Sequence, residues 1–72
     1  MTILELENLA KLGASLVIDA DGMKPLTLES LAKKCAGSGA KLYIKNAHKL
    51  TALTLESIAK AGSGCVTFDF TD

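Results

Sequence analysis

The octapeptide LTLESLAK at residues 26–33 returns as LTLESIAK at residues 53–60, and a looser copy, LELENLAK, stands at residues 4–11. In a chain of 72 residues this recurrence constrains the fold more than any other feature. Repeated units stack on their neighbours and share one continuous core. Each unit runs for roughly 24 residues, a length typical of repeat architectures. Three units, at about residues 2–22, 26–47 and 53–72, account for one domain over residues 1–72.

Within a unit the apolar period changes. Leu28, Leu31, Ala32 and Cys35 fall at i, i+3, i+4 and i+7, one stripe of a helix. Leu55, Ile58 and Ala59 repeat it, as do Leu6, Leu9, Ala10 and Gly13. Thr27 and Thr54 are placed as N-caps, with Leu26–Leu31 and Leu53–Ile58 as hydrophobic staples across them. Glu29 and Glu56 then fall in the first turn, where the helix dipole favours an anion. Pro25 would end the turn that begins at Asp21-Gly22. Thr2 and Glu5 have capping-box spacing, so the first helix starts earlier.

After each helix come glycines and a short alternating run: Leu16 to Ala20, Leu42 to Asn46, Val66 to Phe70. The first and third positions of each run are apolar and are expected to face the helices, with the second and fourth facing away. Helix-strand repeated three times predicts an α/β fold, a three-stranded parallel sheet in sequential order with all helices on one face, as a short solenoid.

The glycine-rich stretch CAGSGAK, residues 35–41, looks superficially like a phosphate-binding loop. Such a loop runs from a strand through glycines and Gly-Lys-Ser/Thr into a helix N-terminus. Here the order is helix, glycines, strand, and the partial charge at a helix C-terminus repels phosphate. The expected role is a left-handed C-cap, and its return at Gly62-Ser63-Gly64 fits a structural joint.

Tyr43, Phe68 and Phe70 are the only aromatics, so the core is aliphatic. Eight basic and eight acidic residues give zero net charge, and no run of Lys or Arg exceeds two, which argues against a nucleic-acid partner. No apolar run approaches the ~20 residues that span a bilayer, and the acidic start MTILELENLA is unlike a signal peptide. The expectation is a cytoplasmic protein without a membrane partner. Cys35 and Cys65 match no metal or thioredoxin-type spacing and are expected to be reduced.

The strand from Leu42 to Asn46, the Leu50-Thr51 pair after the turn, Ile58-Ala59 in the helix and Gly64-Cys65 at its end resemble α/β leucine-rich repeats of the cysteine-containing type. The resemblance covers nearly the whole chain. The turn position that the family usually fills with Asn or Cys is Ala47 here, and Asp21 in the first copy. The resemblance implies an interaction module, not an enzyme.

The outward strand positions predict rows across the sheet: Val17, Tyr43, Thr67, and then Asp19, Lys45, Asp69, with Lys45 pairing with both aspartates. Val17, Tyr43, Lys45, Thr67 and Asp69 of these rows, with Phe70 at the last strand's edge, are the candidate interaction residues for a protein partner. The apolar segment CVTFDF leaves that edge open to another chain. A homodimer through an edge strand is expected, preferably strand 3, with equivalent strands antiparallel about a two-fold axis.

No catalytic, cofactor or metal residue is assigned. A triad or metal site around His48 would need further residues, and none stands at a convincing spacing in the sequence. In DADG, residues 19–22, glycine is fourth and not sixth, unlike a calcium loop, and the twelfth position is Ser30. The alternative function is a ligand- or metal-binding regulator using Asp19, Asp21 and His48 at the strand C-terminal ends. A further possibility is a fragment of a longer solenoid, against which the Met1 start argues for a complete product.

Overall fold

The computed structural model describes residues 2–71. The elements run α1 (Ile3–Lys11), β1 (Leu16–Asp19), α2 (Pro25–Ser38), β2 (Leu42–Lys45), a 3-10 turn (Ala47–Lys49), α3 (Ala52–Gly62) and β3 (Val66–Phe68). The three strands form one parallel sheet in the order β1-β2-β3, the α/β architecture expected from the repeat. Equivalent residues stand side by side: Leu16, Leu42 and Val66 form one row, and Val17, Tyr43 and Thr67 the next.

The strands are shorter than the five-residue runs in the sequence, and β3 has only three residues. Its pairing continues one residue further. Asp69 donates its amide to the Ile44 carbonyl at 2.9 Å and accepts from the Ala47 amide at 2.9 Å. Asn46, left-handed at φ 56°, is the residue skipped in this ladder.

All three helices begin in one register, the one expected for α1 and three residues earlier than expected for α2 and α3. Thr51, not Thr54, is the N-cap of α3, and its hydroxyl accepts the Thr54 amide at 3.3 Å. Lys24, not Thr27, holds the N-cap position of α2, because Pro25 supplies a ready-made first helical residue. Pro25 thus opens the helix, where the sequence pattern had it closing a turn. Glu29 and Glu56 accordingly lie beyond the first turn. Leu26 and Leu53 staple nothing: they are the second residues of their helices, 78% and 76% exposed. The Thr2–Glu5 capping box forms as expected, with the Thr2 amide donating to Glu5 Oε1 at 3.0 Å and the Glu5 amide to Thr2 Oγ1 at 3.2 Å.

Leu28, Leu31, Ala32 and Cys35 of α2 are fully buried, with Leu42 and Ile44 of β2 and Ile58 of α3. Each fully buried Leu or Ile contributes about 1.5–3 kcal/mol. Ala59, placed on the same stripe by sequence, is exposed, because α3 is the outermost helix and its Ala59 side meets no neighbour. Gly39 closes α2 at φ 79°, and its amide donates to the Cys35 carbonyl. In the third copy the cap itself is Ser63, at φ 46°, followed by Gly64 at φ 92°. Both cysteines are buried and free. Burial raises the Cys35 thiol pKa, and the nearby Cys65 adds to the effect.

Candidate interaction surface

With every helix on one face, the other face of the sheet is open. Val17, Tyr43 and Thr67 are exposed on it, in register. Tyr43 donates its hydroxyl to Asp69 Oδ2 at 2.7 Å. The Asp69 carboxylate also accepts the Thr71 hydroxyl at 2.5 Å and the Thr71 amide at 2.9 Å. The Thr71 hydroxyl and amide, then Tyr43, hold the Asp69 carboxyl down at about 2. The same Tyr43–Asp69 bond raises the tyrosine pKa, since the phenol is the donor.

The second row differs from expectation in its partners. Asp19, Lys45 and Asp69 do align, but Lys45 makes no ion pair within 4.0 Å with either aspartate. Asp19 Oδ1 instead accepts Asn46 Nδ2 at 2.8 Å and the Asp21 amide at 2.9 Å. These bonds, Asn46 first, lower the Asp19 pKa, and Lys45 adds a weaker through-space attraction. Short hydrogen bonds from adjacent groups outcompete a long lysine chain, which loses rotamer freedom when it pairs at an exposed site. Asn46 and Thr71 were not among the expected site residues. Thr71 carries a local signal, a threonine two residues after a strand-end aspartate, whereas Asn46 reaches Asp19 across the sheet and nothing local marks it.

At the strand C-terminal ends Asp21 is paired with Lys49 at 3.2 Å. His48 lies exposed in the 3-10 turn. Among the described residues no three His, Cys, Asp or Glu side chains gather as a possible metal-ion site. No helix among them is long and apolar enough to cross a membrane.

Among the described residues nothing pairs with the outer edge of β3. Asp69 spends its backbone groups on Ile44 of β2 and Ala47 of the turn after it, so by strand alternation those of Phe68 and Phe70 point away from the sheet. Phe70 is exposed, and its ring packs obliquely on Phe68 with centroids 6.1 Å apart. At the opposite edge, Leu16 and Ala20 donate to Lys41 and Lys45, which turns the backbone groups of Val17 and Asp19 outward.

The joint between units is specific. Glu7 of α1 accepts the Ser30 hydroxyl of α2 at 2.9 Å and lies 3.7 Å from Lys34. The Ser38 hydroxyl donates to the Ala10 carbonyl at 2.5 Å, closing the end of α1 against α2. One unit on, the residues equivalent to Glu7, Ser30 and Lys34 are Glu29, Ser57 and Ala61. The missing lysine coincides with a shallow cleft of about 210 Å³ lined by Glu29, Ser30, Lys33 and Ala61. No protein-family model, curated protein or solved structure matches this chain.

Proposed function

We propose that this chain is a small, non-enzymatic protein-interaction module that associates with itself through the open edge of β3, with a homodimer as its smallest assembly. The observation that carries the reading is the uncovered edge itself. Phe68 and Phe70 turn their backbone groups outward beside an exposed aromatic ring, with no charged side chain between them other than Asp69. Such an edge templates pairing with another chain. Small size and zero net charge add to the tendency. The open sheet face around Tyr43 is the second surface for a protein partner, as the resemblance to leucine-rich repeats implies. A ligand- or metal-binding role at the strand ends is the weaker reading, because Asp19 and Asp21 are already engaged by Asn46 and Lys49.

The test is the mass in solution by light scattering after size exclusion, over a wide concentration range. Self-association gives at least twice the 7.5 kDa of one chain. Phe70→Lys or Thr67→Lys, both at exposed positions, should return the chain to a monomer. A wild-type chain that stays monomeric at millimolar concentration overturns the reading.

A further inference from the structure

Each unit presents two different sides to its neighbours. The forward side of a helix carries a glutamate at its fifth position and an alanine at its eighth: Glu7 and Ala10 in α1, Glu29 and Ala32 in α2. Ala10 and Ala32 are completely buried. The backward side carries the sixth and tenth positions: Ser30 and Lys34 in α2 contact Glu7 of the preceding unit. In α3, Gly62 on this side approaches Ala32, where an added Cβ would stand 3.5 Å from the alanine Cβ.

Among the described residues, none packs on the forward side of the last unit or on the backward side of the first. On α3 these forward residues are Glu56 and Ala59, both exposed. On α1 the backward residues are Asn8, exposed, and Leu12, which is 84% exposed. Leu12 occupies the position of Lys34, which inside the molecule packs against the preceding helix. Asn8 occupies the position of Ser30, which donates to the preceding glutamate. Below the helices, β3 has an open outer edge and so has β1, and both belong to a sheet that pairs only in parallel.

Resting on the self-association reading, we infer that the partner of the β3 edge is the β1 edge of a second copy, so that copies stack head to tail and continue the repeat. Glu56 and Ala59 of one copy meet Asn8 and Leu12 of the next, with Glu56 placed as Glu7 is against Ser30 and Lys34 within the chain. Extending the register puts Val66 beside the next copy's Leu16, and Thr67 beside its Val17. A contact between unlike surfaces leaves one of each surface free in a pair, so the assembly grows past two chains, to a ring or an open filament, where a two-fold dimer stops at two. One pair opposes the joint: Asp69 falls beside the next copy's Asp19, and like charges directly opposite weaken strand pairing. The joint is therefore weak, and it has a definite charge sensitivity.

The experiment mixes two blocked variants. Leu12→Glu sets a carboxylate against Glu56 and blocks the head; Ala59→Arg overfills the position that is fully buried in the other units and blocks the tail. Both sites are exposed in the single chain, so both variants fold, and circular dichroism checks this. Light scattering of each variant alone should give a monomer, whereas an equal mixture should give a one-to-one pair that grows no further. Asp19→Asn should tighten wild-type association several-fold. A Leu12→Glu variant that still dimerises alone overturns the head-to-tail geometry and supports pairing of β3 with β3. A mixture that stays monomeric while the wild type associates also overturns it. A wild type that never associates removes the self-association reading together with this one.

Discussion

Gly62 is the last residue of α3, is buried, and has an ordinary helical backbone. A methyl group placed there would lie 2.3 Å from Val66 Cγ2, 3.4 Å from Cys65 Sγ and 3.5 Å from Ala32 Cβ. The first distance is far inside van der Waals contact. A β-branched valine has few rotamers with which to escape, and its backbone is held in the sheet. Gly62→Ala therefore forces β3 away from α3 or Val66 off its rotamer, at about 1–3 kcal/mol. The helix-propensity gain of alanine over glycine is at most ~1 kcal/mol in a helix interior and smaller at a terminus. The net loss should be about 1–2 kcal/mol, or roughly 4–16 °C in melting temperature for a domain of this size. Urea unfolding followed by circular dichroism measures it. Gly37→Ala is the internal control: also helical, but with open space around the new methyl, it should gain up to about 1 kcal/mol. Val66→Ala removes the clashing methyl, so the double variant should lose less than the sum of the two single losses. A Gly62→Ala chain as stable as the wild type, with no coupling to Val66, would refute the close-packing account.

Three further outcomes follow from the caps, the missing lysine and the Asp69 cluster. Ala61→Lys should place a lysine where Lys34 stands in the preceding unit and pair it with Glu29, adding about 0.2–1 kcal/mol that 1 M salt removes, measured by urea midpoints at low and high salt. Thr51→Ala removes the hydroxyl that accepts the Thr54 amide and should cost about 1 kcal/mol in the same measurement. Asp69 has a folded pKa lowered to about 2, against an ordinary carboxylate value near ~3.9 when unfolded. A depressed pKa contributes stability above the unfolded value and loses it as pH falls through the folded one. Wild-type urea midpoints should thus fall between pH 4 and pH 2, and Asp69→Asn should flatten part of that slope.

The repeat made the architecture legible. One octapeptide in three copies predicted three parallel strands, sequential order and the buried stripe Leu28, Leu31, Ala32 and Cys35. The start of α1 was legible in its capping box, but that of α3 was not, because two threonines three residues apart, Thr51 and Thr54, both suit a cap. The choice between them depends on where the preceding turn delivers the chain. Leu26 and Leu53 were misplaced for the same reason: a leucine beside a threonine is a staple in one register and an exposed second residue in the other. The charge row on the sheet was correct in alignment and wrong in pairing. Alignment follows from strand register, while pairing is a local contest that Asn46 and Thr71 win. Ala59 misled because periodicity describes one helix and carries no information on whether a neighbour exists beside it.

The middle unit holds most of the deepest burial. Of the six largest fully buried side chains, Leu28, Leu31, Leu42, Ile44 and Cys35 belong to α2 and β2, and only Ile58 comes from elsewhere. β2 is also the one strand bonded on both edges. Opening of this molecule is therefore graded from its ends inward. Amides of α1 and α3 exchange with solvent through partial openings that leave the centre intact, and those of α2 and β2 exchange only when the whole chain unfolds. The centre in turn has no shelter of its own once both flanks have peeled away, so the last step of unfolding is abrupt although the first steps are gradual.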